Sequence, residues 1–173
     1  ALLARPFFNV ETGAADSRLI VSPDLVEGSL GIRAQSDFQS YEILHRQKCG
    51  DSDWGHIDFL LGYRAVHLQD NLLINESTLS LSGVTSGTRY ELADSFDGEN
   101  TFHGALIGLE IQPFSGQRWT TDCMLKIALG TTRQEARIAG FTTSTPADGA
   151  SSTTEYGLLT QASNIGSYRD NEF

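Results

Sequence analysis

From position 118 to 130 the chain alternates. Trp119, Thr121, Cys123, Leu125, Ile127 and Leu129 take every second place, with Arg118, Asp122 and Lys126 between them. Successive side chains of a β-strand point to opposite faces, so one face of this segment is apolar and the other charged. The alternation continues, with a change of phase, through Gln134, Ala136 and Ile138. That predicts a strand several times longer than the usual five or six residues. Such length, with few charges on one face, points to a transmembrane barrel strand, which shows lipid only one of its sides.

The pattern recurs. In 54–68, Ile57, Phe59, Leu61, Tyr63 and Ala65 alternate with His56, Asp58, Leu60, Gly62 and Arg64, Leu60 being the exception on the polar side. In 101–111, Ala105, Ile107, Leu109 and Ile111 alternate with Gly104, Leu106, Gly108 and Glu110, a second face that is small more than polar. Leu30, Ile32, Ala34 and Phe38 face away from Gly31, Arg33, Gln35 and Asp37, and after Gln39 the apolar phase slips to Tyr41 and Ile43, as a β-bulge would produce.

Four long strands are thus expected, 28–47, 54–76, 89–112 and 117–140, with 165–173 beginning a fifth. Their connections alternate in length. Lys48-Cys49-Gly50-Asp51-Ser52-Asp53 and Pro113-Phe114-Ser115-Gly116 are short, whereas the segment after Glu76 and the Ser/Thr-rich 141–163 are long. Short turns at one end and long polar loops at the other are the asymmetry of an outer-membrane barrel. The fold class expected is all-β, an antiparallel up-and-down meander forming part of a transmembrane β-barrel. Residues 1–27 read as a loop or extended segment before the first strand, and 28–173 as the barrel segment. Four strands and part of a fifth are fewer than the eight of a minimal barrel, so further strands of a longer parent chain are expected as partners.

Composition narrows the classes without choosing among them. A chain of 173 residues is one domain's worth. A net charge of −10 with 12 scattered basic residues argues against nucleic acid, which needs clustered Lys and Arg to neutralise phosphates. No apolar run reaches the roughly 20 residues of a membrane helix. The start, Ala1-Leu2-Leu3-Ala4-Arg5-Pro6, lacks the basic segment and apolar core of a signal peptide, so the signal is removed or the chain is an excerpt. Cys49 falls in an expected turn and Cys123 in mid-strand, which argues against a bridge between them. Trp54 and Trp119 each follow a short turn, where an interfacial girdle would lie.

Candidate chemistry is sparse. Arg33, Asp37, His56, Asp58, Arg64, Glu110, Asp122 and Lys126 are the candidate lumen-facing residues, solvated or paired across strands. His56 and Arg64 share a face but stand eight residues apart, roughly 26 Å along a strand, too far to act together directly. His45, His56 and His67 recur at equal spacing, yet His67 has the opposite parity to His56, which argues against a zinc site. Asp51-Ser52-Asp53 lacks the further ligands of a calcium loop and reads as a turn. Nucleophile-elbow, phosphate-loop and zinc-protease motifs are missing, so neither an enzyme nor a cofactor is expected.

Four blocks taken in order resemble the beta-barrel porin-7 family of bacterial outer-membrane proteins. They are Arg5-Pro6-Phe7-Phe8-Asn9 with Thr12-Gly13 and Asp16-Ser17; Asp58-Phe59-Leu60-Leu61-Gly62-Tyr63-Arg64; Asp94-Ser95-Phe96 with 100–109; and Lys126-Ile127-Ala128-Leu129-Gly130-Thr131-Thr132 with Asn164-Ile165-Gly166-Ser167-Tyr168. The chain departs from that pattern at Leu106, where the family often has a polar residue, and at Ala105, where an extra Gly is common. The resemblance implies an outer-membrane location, a longer parent chain and lipid as neighbour. From the pattern and the resemblance, a porin-like segment is expected, passing small hydrophilic solutes if the lumen is open. The alternative is a soluble extracellular β-sandwich that binds carbohydrate or protein, with the apolar faces buried between two sheets.

Overall fold

A computed structural model describes residues 1–10, 12–52, 55–115 and 118–172. Its elements are all strands: β1 Leu3–Asn9, β2 Ala14–Val21, β3 Val26–Ser52, β4 Gly55–Ser80, β5 Arg89–Ser115, β6 Thr120–Thr145, β7 Ser152–Thr154 and β8 Gly166–Glu172. β1 and β2 pair with each other, and the rest form one sheet in the order β3-β4-β5-β6-β7, with β8 also on β6. The expected all-β meander of long strands is what the chain forms, and at 26 or 27 residues each the four long strands are longer than expected. Among the described residues β3 ends the strand order, so the meander is an open sheet, consistent with a part of a barrel rather than a closed one.

Residues 1–27, expected as a loop or extended segment, hold the β1–β2 hairpin. Its register runs from Leu3 opposite Val21 to Asn9 opposite Ala14. Gly13 closes its turn at φ 67, a backbone conformation that favours glycine, and its N–H donates to the Asn9 carbonyl at 2.9 Å. The expected long segment after Glu76 is shortened too, because β4 continues to Ser80. There the Ser80 N–H donates to the Thr88 carbonyl at 2.9 Å, and Gly83 and Gly87 take the positive φ values of the turn. Trp54 and the Asp53 end of the expected turn lie outside the described residues, as do Gly116 and Phe173.

The chain divides into two compact units, and every long strand contributes to both. The first comprises Ala1–Ser36, Asp70–Gly98 and Ala136–Tyr168, and the second Asp37–Gln69, Glu99–Glu135 and Arg169–Phe173. In the first unit the core is Ile20, Ile74, Leu92 and Ala93, with the polar residues Arg5, Glu76, Thr78, Asp94 and Thr160 buried among them. In the second, Leu60 and Leu106 are fully buried beside Asp58 and Glu110.

Parity organises the sheet. On β4 the buried positions are Asp58, Leu60, Ile74, Glu76 and Thr78, all even. On β5, Leu92, Asp94, Leu106 and Glu110 are buried on the even side as well. A Cβ on Gly28 would meet the Thr78 side chain, and one on Gly62 would meet that of Leu44. Both pairs fit one antiparallel register, so β3 keeps its parity against β4 from end to end. Likewise Gly108 meets Lys126 and Gly140 meets the Ala93 carbonyl, which keeps β6 in one register against β5. The bulge expected after Gln39 is therefore corrected: the apolar phase changes there while the backbone register does not.

What changes is the side on which apolar residues stand. In the second unit the odd positions are apolar and exposed: Tyr41 and Ile43 on β3; Ile57, Phe59, Leu61 and Tyr63 on β4; Ile107, Leu109 and Ile111 on β5; Leu125, Ile127 and Leu129 on β6. In the first unit the apolar residues move to even positions: Leu30 and Ile32, Leu72 and Ile74, Leu92 and Phe96, Ala136 and Ile138.

Candidate functional site

In the second unit, the even positions bring several of the candidate residues together. Arg46 on β3 reaches the Glu110 carboxylate of β5 through Nη2 at 2.5 Å and approaches Asp58 of β4 at 3.8 Å. Two acids buried on adjacent strands would repel one another, and the guanidinium between them offsets that repulsion. His56 lies 3.9 Å from the same Asp58 carboxylate. Lys126 of β6 pairs with Glu42 of β3, and the Gln112 side-chain amide donates to Asp122 at 2.7 Å. Arg64 stands on the same side of β4, its Nε buried and without a hydrogen-bond partner among the described residues.

Arg33 and Asp37 are placed differently. With the β3 register unbroken, they fall on the odd side with Tyr41 and Ile43, opposite Glu42 and Arg46, and both are exposed. Arg46 and Glu42 were not among the candidates. They flank Ile43 and Leu44 in a stretch whose assumed phase slip obscured which of its polar residues share the even side.

The odd side of the second unit turns polar beyond its apolar stretch. Tyr63 and His103 stack with ring centroids 6.2 Å apart, and the Tyr63 hydroxyl lies 2.7 Å from His103 Nδ1. Past them, Glu99, Thr101, His103, Arg133 and Glu135 line a small polar recess. His67 reaches Thr101 Oγ1 at 3.2 Å and Glu99 at 3.8 Å. Hydrogen bonds from Arg169 and Arg133 hold the Glu135 carboxyl below its usual range.

A second cluster, in the first unit, was not anticipated from the spacing of polar residues. Arg5 of β1 donates from Nη2 to Asp94 Oδ2 of β5 at 2.5 Å and approaches Glu76 of β4 at 3.7 Å. Arg18 of β2 donates from Nε to Glu76 Oε1, also at 2.5 Å, and its guanidinium lies 5.6 Å from the centre of the Tyr90 ring. The other Asp94 oxygen accepts three hydrogen bonds, from the N–H groups of Leu159 and Thr160 at 3.0 Å each and from Thr160 Oγ1 at 2.8 Å. Asp94 and Thr160 are both completely buried. A carboxylate removed from water needs its lone pairs satisfied, and Asp94 has a cation on one oxygen and three donors on the other.

Glycine makes this approach possible. A Cβ on Gly28 would lie 2.7 Å from the Ile20 carbonyl, one on Gly140 would lie 1.9 Å from Thr160 Oγ1, and one on Gly157 would lie 2.1 Å from Asp94 Oδ1. Gln161 and Asn164 brace the 157–165 segment from within, Gln161 Nε2 donating to the Gly157 carbonyl at 2.9 Å and Asn164 Nδ2 to that of Leu159 at 3.0 Å. The sequence blocks containing Arg5-Pro6, Asp94-Ser95 and Asn164-Ile165 are the parts that converge on this cluster.

The model of the Putative beta barrel porin-7 family matches residues 1–173, the whole chain. No curated protein matches it.

Proposed function

Since the chain belongs to the beta-barrel porin-7 family, we propose that its four long strands form part of the wall of an outer-membrane β-barrel that passes small hydrophilic solutes. The role is that of a channel or structural wall rather than of a catalyst. The observation that carries the reading is the inverted parity of the second unit, where the apolar odd side is exposed and the opposite side buries the carboxylates of Asp58 and Glu110. Sheets in water bury their apolar side, whereas a barrel wall in lipid exposes it and keeps the polar side for the lumen.

The stretches 57–63, 105–111 and 123–129 then cross the bilayer, with Tyr41 and Ile43 beside them. A crossing strand needs about 9–11 residues, so strands of 26 or 27 residues cross once and continue outside. Trp119, largely exposed near one end of the apolar stretch, and Tyr63 near the other occupy the positions of interfacial aromatics. His56, Asp58, Arg64, Glu110, Asp122 and Lys126 face the lumen together with Arg46 and Glu42, whereas Arg33 and Asp37 face outward beyond the lipid. Mixed charges on that wall give weak ion selectivity. The free edge of β3 pairs with a strand of the parent chain, because a membrane leaves no sheet edge unpaired. A soluble binding sandwich would need a second sheet over the exposed odd side, and none of the described strands provides it.

Membrane partitioning of the full-length parent, followed by single-channel recording in planar bilayers, tests the reading. Heat-modifiable insertion with stable conductance steps is expected, and Arg64→Leu should alter conductance or selectivity. A protein that stays folded and soluble without detergent would overturn the barrel.

A further inference from the structure

We infer that the β1–β2 hairpin and the 157–165 segment form a resident plug, held inside the outer end of the barrel by the Arg5–Asp94–Glu76–Arg18 network. The inference rests on the lumen assignment made above and takes it further, from whether solutes can pass to what stands in their way.

Parity carries the argument. Glu76 on β4 and Asp94 on β5 are even, as are Asp58 and Glu110 on the same two strands, so they point to the side assigned to the lumen. Arg5 and Arg18 can reach them only if the hairpin lies on that side. Two independent contacts agree. The Ile20 carbonyl of β2 lies over Gly28, an even position of β3, and Thr160 lies over Gly140, an even position of β6. The hairpin and the 157–165 segment therefore cover the even side of β3, β4, β5 and β6 in the first unit. They do so at the end of the strands where the connections are long, which in outer-membrane barrels is the external end.

The covering is built rather than draped. Ile20 is fully buried, and Arg5, Glu76, Asp94 and Thr160 are at most 8 % exposed. Loops packed inside a barrel are one of the two states such lumens take, the other being an open water-filled channel. Holding the plug by guanidinium and carboxylate groups rather than by apolar packing alone makes release a matter of a few charges. Loss of Arg5 or Arg18 frees the hairpin while the acids remain on the wall, in a lumen that water can then enter.

The test records single channels of the full-length parent in planar bilayers, unmodified and with residues 3–21 replaced by a short Gly/Ser linker. The plug predicts stable but small steps for the unmodified protein and a several-fold larger conductance for the deletion. Equal, measurable conductance from two properly inserted proteins would overturn the plug and leave the porin reading intact. Insertion of both without conductance would overturn the pore and the plug with it. Should the deletion fail to insert, maleimide labelling of Thr78→Cys in a protein whose exposed Cys49 and Cys123 are replaced by Ser decides: Thr78 is buried on the side that the hairpin covers, so protection is expected, relieved by adding Arg5→Gln. Rapid labelling without Arg5→Gln would overturn the proposal.

Discussion

The two units are built from the same four strands and have opposite insides. In the first, Ile74 and Leu92 are buried on the even side, as apolar side chains are in any protein in water. In the second, the even side carries Arg46, Asp58 and Glu110, and the odd side shows Ile57, Leu109 and Ile127 to the surroundings. No change of register separates them. The long strands contribute to both units, and the sequence exchanges which parity is apolar, as the proposed change from water to lipid requires. The hydrophobic effect sets that choice locally: where water lies outside, apolar area is removed from it, and where lipid lies outside, apolar area facing outward costs nothing.

Each half of this comparison can be broken by a substitution that spares the other. The largest effect is expected at Asp94 in the first unit. Asp94→Ala leaves Arg5 buried without its carboxylate and should cost about 3–5 kcal/mol, read as a lowered unfolding midpoint in denaturant. A loss under 1 kcal/mol would mean that water already reaches the cluster. Next is Ile127 in the second unit: an Arg on the lipid face near mid-bilayer costs about 2–4 kcal/mol, whereas Ser29→Arg on the exposed odd side of the first unit should stay within about 0.5 kcal/mol. Equal costs at the two sites, measured by unfolding from lipid vesicles, would erase the distinction between the units.

Arg46 offers a smaller and more specific effect. Its side chain is half-exposed, so Arg46→Gln should cost about 1 kcal/mol or less. Because Asp58 and Glu110 would keep their charges, selectivity should move towards cations, as a shift of reversal potential in a salt gradient. An unmoved reversal potential would place the pair away from the conducting path. The smallest effect concerns Glu135. Its carboxyl is held below 4.5 by Arg169 and Arg133, so the stabilisation is present above about that pH and is lost as pH falls through the lowered value. The protection of amides in β8, where Arg169 lies, relative to their intrinsic exchange should fall below pH 4.5 in the parent and lose that fall in Glu135→Gln.

Alternation over 118–130 and 54–68 made the long strands legible, because a two-residue period needs no knowledge of the neighbours. The shift at Gln39 was legible as well, but its cause was not. One strand's sequence shows that the apolar phase has changed, and a bulge and a change of surroundings write the same signal. Only the partners of Gly28 and Gly62, on the neighbouring strand, separate the two, and the same ambiguity hid that Arg33 and Asp37 share the odd side of β3 with Tyr41 and Ile43. The β1–β2 hairpin lay beyond reach for another reason. Leu3 to Asn9 carries no clean alternation, and its docking surface is made of Glu76 and Asp94, acidic residues that look solvent-facing until their cations arrive from 58 to 89 positions away.

That separation also sets an order of events. The hydrogen bond from Arg5 to Asp94 joins residues 89 positions apart, so it can form only after β3, β4 and β5 have been laid side by side. Closing so long a loop delays the contact, though its entropic cost grows only slowly with length. Synthesised ahead of the strands it docks on, β1 thus finds its place after them.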